Sequence, residues 1–298
     1  MKTREEKVFQ AVGAIFMIIL AAVALIPIIL LVIASFTSNN AIVQNGYSFI
    51  PKEWSFEAYE YMFLSSNKII KAYGVSFFIT AVGTVCSLVI TTMLAYGLSK
   101  RDLPGRGFIT FYIVFTMLFN GGLVPTYLMY TGIFNIKNTI WALLIPNLLM
   151  NAYNIMLAKS YFVTSVPNEI LEAAKIDGAG EFRIFVRIAV PIAKPIIATI
   201  GMFVGIAYWN DWNNGFIYLT TNTDLYSIQN LLNRMIQNIQ FLTQNSAGIS
   251  QAQQGLAQIP ASSVRMAMAV MGILPIVLIY PFIQNNFVKG ITLGGVKG

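Results

Sequence analysis

The sequence predicts an all-α, polytopic membrane protein with about six transmembrane helices. Three observations carry that reading. Apolar residues fill 56% of the 298 positions and charged residues only 10%, whereas a soluble domain carries roughly 25% charged residues to wet its surface. Mean hydropathy is +0.67. The apolar residues also gather into long stretches, near the ~20 residues that cross about 30 Å of hydrocarbon as a helix.

The first stretch, 11–34, holds no charge. Lys2, Arg4 and Lys7 precede it as they would in a signal peptide. Its apolar run is too long for the core of such a peptide, so a retained helix is expected. Residues 35–71 contain Trp54, Phe56, Tyr59, Tyr61 and Phe63 among a few charges, which suits a short amphipathic helix on the membrane surface. Further spans are expected at 72–98, 107–130, 139–162, 191–217 and 266–287. Between the last two, 220–265 is long and polar, with Gln229, Asn230, Gln237, Gln251, Gln253 and Gln254. It reads either as a connector or as a docking site for an external partner.

Lys and Arg number 19 against 12 Asp and Glu. The cations lie in short clusters between apolar stretches, the pattern of membrane-protein loops rather than of a nucleic-acid surface. With the N-terminus inside, thirteen of the 19 fall in cytoplasmic segments, which predicts both termini in the cytoplasm. Histidine is absent, which excludes imidazole metal sites and His-based catalysis. The single cysteine, Cys86, allows no internal disulfide and reads as a small core residue.

One segment stands apart, from Ser165 to Gly180. Pro167 and Glu169 suit the first turn of a helix, where a missing donor costs nothing and a negative charge meets the positive dipole end. Ile170, Ala173, Ala174 and Asp177 share one face. Gly178 and Gly180 permit the left-handed conformation that ends a helix in a sharp elbow. A second amphipathic helix should follow, with Phe182, Phe185 and Ala189 on one side and Arg183 and Arg187 four apart, before Pro191 and Pro195 open the next span. This reads as a short helix held across the membrane surface, its paired alanines letting a partner approach closely.

Glu172-Ala173-Ala174, three residues, Gly178, nine residues, then Ile188-Ala189-Val190-Pro191 resembles the EAA signature of ABC importer permeases, with Val190 where that family prefers Leu. Asp177-Gly178-Ala179 resembles the carbohydrate variant. The tail Phe287-Val288-Lys289-Gly290-Ile291-Thr292 through Gly294-Gly295-Val296-Lys297-Gly298 is similar to MalG-type subunits, and Asn120-Gly121-Gly122-Leu123-Val124-Pro125-Thr126 to their LplC-like branch.

The resemblance implies a type I, MetI-like fold and a single transmembrane permease domain over 1–298, with 72–287 as core, 165–190 as coupling segment and 220–265 as extracytoplasmic loop. It implies that Glu172, Ala173, Ala174, Asp177 and Gly178 transmit the motion of an ATPase. No G-x-x-x-x-G-K-[ST] occurs, so this chain cannot cradle nucleotide phosphates itself. It would work in a bacterial cytoplasmic membrane with a second homologous permease, two ATP-binding-cassette ATPases carrying ATP and Mg, and an extracytoplasmic solute-binding protein. The chain itself would be no enzyme and hold no cofactor or metal. The expected cargo is a carbohydrate, an oligosaccharide, moved by alternating access.

For the path of that cargo the candidates are amides and aromatics. Asn147, Asn151 and Asn154 fall at i, i+4 and i+7 and would share one face of the fourth span, while Asn120 sits at an expected break in the third. These amides either line the path or act as interhelical glue. Trp209, Asn210, Asp211 and Trp212, near the outer end of the fifth span, read either as an interfacial belt or as a sugar-stacking platform. An ion-coupled secondary transporter would place ionisable groups at mid-membrane, and none is evident. A membrane-embedded glycosyltransferase would need clustered carboxylates at a membrane face, which are also lacking.

Overall fold

A computed structural model describes residues 3–63, 66–244 and 261–295, and no strand occurs among them. They gather into two compact units, Met1–Asn67 with Leu232–Pro275, and Lys68–Leu231 with Ile276–Gly298.

In the first unit, α1 (Arg4–Ser35) opens with a capping box in which Thr3 and Glu6 satisfy each other's backbone donors. None of its apolar window is buried within the chain. Pro27 lies inside it, and the helix continues past it. Where α1 ends, Phe36 stacks on Tyr59 at 4.9 Å and meets Phe56 edge-on at 5.5 Å. The Ser35 and Tyr59 hydroxyls lie 2.9 Å apart. These contacts hold α3 (Glu57–Phe63), which with α2 (Asn39–Asn45) makes two short helices where a single amphipathic helix was expected. Asn39 Oδ1 accepts the N–H of Ser262, an orphan donor in the first turn of the last helix (Ala261–Gly295), at 3.0 Å.

The second unit is built around α4 (Ser66–Ser99). It continues through α5 (Arg106–Leu118), then α6 (Leu123–Leu128) with a wide π turn over Met129–Ile133. Next come α7 (Trp141–Leu144), α8 (Ala152–Ser165) and α9 (Asn168–Ile176). The rest is α10 (Glu181–Ile184), a π turn over Phe185–Ala189, α11 (Val190–Ile192), α12 (Lys194–Asn210) and α13 (Asn213–Tyr218). Its core joins Ile79, Ala95 and Tyr96 of α4 to Ala158 and Phe162 of α8 and to Ile196, Ile200, Val204 and Tyr208 of α12.

Small residues let α4 and α12 approach, the usual device of helices in lipid. A β-carbon on Gly83 would stand 2.4 Å from the Tyr208 ring, and one on Gly201 would stand 3.2 Å from Leu88. Gly83 is therefore required by close contact. Cys86, on the same helix, is exposed and not in the core as expected.

Counting spans corrects the hydropathy reading in detail. Three helices among the described residues are long and apolar enough to cross a membrane, Glu5–Ser35, Asn67–Ser99 and Ala261–Ile279. The number is up to five if each of two bent pairs is one span: Arg106–Leu118 with Leu123–Ile133 turns by 118°, and Glu181–Ile192 with Lys194–Asn210 by 82°. The fourth expected span, 139–162, is no continuous helix, because α7 and α8 are separated by an irregular stretch. The polar 220–265 segment holds a 17-residue amphipathic helix, α14 (Ile228–Gln244), which buries Ile228, Leu232 and Ile239. Gln251, Gln253 and Gln254 lie outside the described residues. The last described helix is α15 (Ala261–Gly295); Val296, Lys297 and Gly298 of the expected tail motif also lie outside the described residues.

Candidate functional site

The elbow forms as its sequence dictates. Pro167 takes the cap position with extended backbone, Glu169 sits in the first turn of α9 and Lys175 in the last, both matched to the helix dipole. Asp177 ends the helix and Gly178 follows at φ +79°. The N–H of Gly178 reaches Lys175 O and that of Ala179 reaches Ala174 O, each at 3.0 Å, the paired bonds of a Schellman motif. A β-carbon on Gly178 would meet nothing within 4 Å, so backbone conformation alone requires glycine here. Gly180 is different: at φ −70° it caps α10 in ordinary extended backbone, and the left-handed role expected of it is not taken.

Nothing on α9 is buried. Leu171 packs against the core and Ala174 is half-buried, whereas Glu172 and Ala173 are exposed and Ile176 is 86% exposed. The two alanines thus divide between the body and the outside. On the following segment Phe185 and Ala189 are buried as expected, but Phe182 is 69% exposed.

The amide stripe does not exist as a helical face. Pro146 has no N–H to continue α7. Asn147 adopts φ +62°, and Asn151 is the extended N-cap of α8, its Oδ1 accepting the N–H of Asn154 at 3.2 Å. Asn147 and Asn151 are exposed and Asn154 is buried. The broken backbone leaves carbonyls that must find donors. Tyr208 Oη donates to Leu144 O at 2.7 Å, and Asn214 Nδ2 to Pro146 O at 2.9 Å. Neither pairing is visible in a local pattern, since each partner lies in a distant element. The break in the third span is where the sequence placed it: Asn120 Oδ1 accepts the N–H of Gly122, whose φ is +84°.

At the end of α12 the aromatic cluster divides as well. Trp209 is 4% exposed and packs 5.2 Å from Phe77 and 6.3 Å from Tyr73, so its ring is committed to packing and not offered for stacking. Asn210 and Trp212 are exposed. Asp211 Oδ1 accepts the N–H groups of Asn213 and Asn214 at 3.2 and 3.3 Å, which opens α13.

An exposed, sharply ended helix thus lies between a broken segment and a bent one. Residues 65–293 match the family described as the binding-protein-dependent transport system inner membrane component. The chain belongs to that family. This permease is 36% identical over 283 residues to the polygalacturonan/rhamnogalacturonan transport system permease protein YtcP of Bacillus subtilis, covering 95% of this chain and 96% of the relative. It is 34% identical over 296 residues to Protein LplC of the same organism, covering 99% and 97%. Among solved structures it is similar to a chain in the crystal structure of a bacterial ABC transporter involved in the import of the acidic polysaccharide alginate, with TM-score 0.78, 29% identity and coverage of 96% and 99%.

The permease therefore has the MetI-like importer fold and is a transport subunit of an ABC importer, not an enzyme. It is an inner-membrane component that works with a partner permease, an ATPase and a binding protein, and such permeases carry no cofactor of their own.

Proposed function

We propose that this permease moves a carbohydrate, specifically an oligosaccharide, inward across the cytoplasmic membrane, forming half of the path beside a homologous permease. Two ATPase subunits and one external binding protein complete the complex. Support for the cargo comes from the names of its relatives, which include polygalacturonan/rhamnogalacturonan and arabinooligosaccharide transport permeases. The chain acts as one permease domain over 1–298, with 72–287 as core, 165–190 as coupling segment, 220–265 outside and both termini in the cytoplasm.

The observation that carries the mechanism is α9, an amphipathic helix with no buried residue, ended by a left-handed glycine. Glu172, Ala173, Ala174, Asp177 and Gly178 form the piece that an ATPase seats and turns. Asn120, Asn147, Asn151, Asn210 and Trp212, exposed at the breaks or at the end of α12, are the path candidates, since amides both donate to and accept from sugar hydroxyls. Asn154, Trp209 and Asp211 then act behind them, as packing and capping groups.

The test is uptake by proteoliposomes holding the whole complex, with labelled oligogalacturonides and arabinooligosaccharides supplied with the binding protein. ATP-dependent accumulation of an oligosaccharide is expected. Accumulation of amino acids or inorganic ions in its place would overturn the assignment.

A further inference from the structure

Glu181 joins three elements. It opens α10 and accepts from Lys100, the first residue past α4, and from Lys175 Nζ in the last turn of α9 at 2.9 Å. The Lys100 side chain is only 17% exposed, and its ammonium lies 4.7 Å from the centre of the Tyr96 ring. That ring packs 5.7 Å from Phe162 of α8 and 5.1 Å from Phe185. Lys100 is thus fixed between an aromatic face and a carboxylate, and an ammonium so withdrawn from water is costly to leave unpaired.

Val166 and Pro167 join α9 to the 14-residue α8 before it, but the covalent route onward from its C-terminal end is poorly suited to carry a push. It runs through a π turn, the three-residue α11 and a bend of 82° before α12 begins. By contrast, α4 is one unbroken helix of 34 residues, about 51 Å long. Its far side is packed against α12 at Gly83 and Tyr208. A cavity of about 380 Å³ lies under α9, lined by Tyr96, Lys100, Leu171 and Lys175 among others, so apolar packing does not fill the space between α9 and the end of α4.

We propose that Glu181 is a positioning residue for energy coupling: by bridging Lys100 and Lys175 it makes α9 and the C-terminal end of α4 move as one body. This rests on α9 being the coupling helix. The bridge gives the ATPase stroke a second, ionic path into an uninterrupted rod, beside the bent covalent one.

The experiment uses the complete reconstituted complex and reads the ratio of ATPase activity with and without solute-loaded binding protein. Glu181→Gln and Lys175→Met should each lower that ratio roughly fivefold or more, the scale of an ordinary coupling free energy. The double variant should be no worse than either single one, because both remove the same unit. Spin labels at Arg101 and Asn168, in a Cys86→Ser background, should show a narrow distance distribution that broadens in Glu181→Gln. A structural defect alone would lower yield and melting temperature without this non-additivity. An unchanged ratio in both single variants, or strictly additive losses, overturns the proposal. Gly178→Val separates the two ideas. If it uncouples while Glu181→Gln does not, only the bridge fails; if neither uncouples, α9 is not the coupling helix.

Discussion

At the scale of single residues, the structure changes what a substitution at Asn151 means. The side chain is exposed and also caps α8 through its bond to the Asn154 N–H. Asn151→Leu removes both the amide and the cap, and a lost cap costs about 1 kcal/mol. Asn151→Ser keeps a capping oxygen but withdraws the amide from the path. If Asn151 lines the path, Asn151→Ser should lower uptake at saturating binding protein while the melting temperature of the complex holds. Normal uptake by Asn151→Ser together with a lowered melting temperature for Asn151→Leu would make Asn151 a cap and nothing more. Residue roles were legible in the sequence where a backbone rule fixes them. Gly178 was found because an amphipathic helix ending in Asp-Gly needs a left-handed residue, and it has φ +79°. Asn147, Asn151 and Asn154 were misread as one face because apolar composition continues across Pro146, so hydropathy carries no mark of the lost phase.

At the scale of elements, the broken fourth span is held by side chains from later in the chain. Removing the donor from Leu144 O by Tyr208→Phe leaves a buried carbonyl unsatisfied, which costs roughly 1–3 kcal/mol. Asn214→Leu does the same to Pro146 O. Each should lower the melting temperature of the purified complex by several degrees, and a melting temperature equal to the parent's would show that these bonds do not support the break. Tyr208 stood in the sequence beside Trp209 in what read as an interfacial belt; it is in fact fully buried. Its signal could have been found only by asking where the carbonyls before Pro146 find their donors. The third-span break was readable, because Asn-Gly-Gly carries its own turn chemistry.

At the scale of the whole molecule, composition and the count of apolar stretches were enough for the class, all-α and membrane-embedded. They overstated continuity, since only three described helices are long and apolar enough to cross a membrane, or up to five if each bent pair is one span. Orientation still rests on the distribution of cations, and a labelling experiment decides it. In a Cys86→Ser background, a cysteine at Ser48 should react with an impermeant thiol reagent added to intact cells, and one at Gly105 should not. Reaction at Gly105 would reverse the topology. The captured carbonyls bear on how such a chain comes to be made. Leu144 and Pro146 leave the ribosome long before Tyr208 and Asn214, which follow 64 and 68 residues later. Until those donors emerge, the two carbonyls need water or lipid headgroups, and α7, with four residues, has no hydrophobic length of its own to enter the bilayer. Residues 139–162 are therefore expected to settle into place only after α12 and α13 have been synthesised.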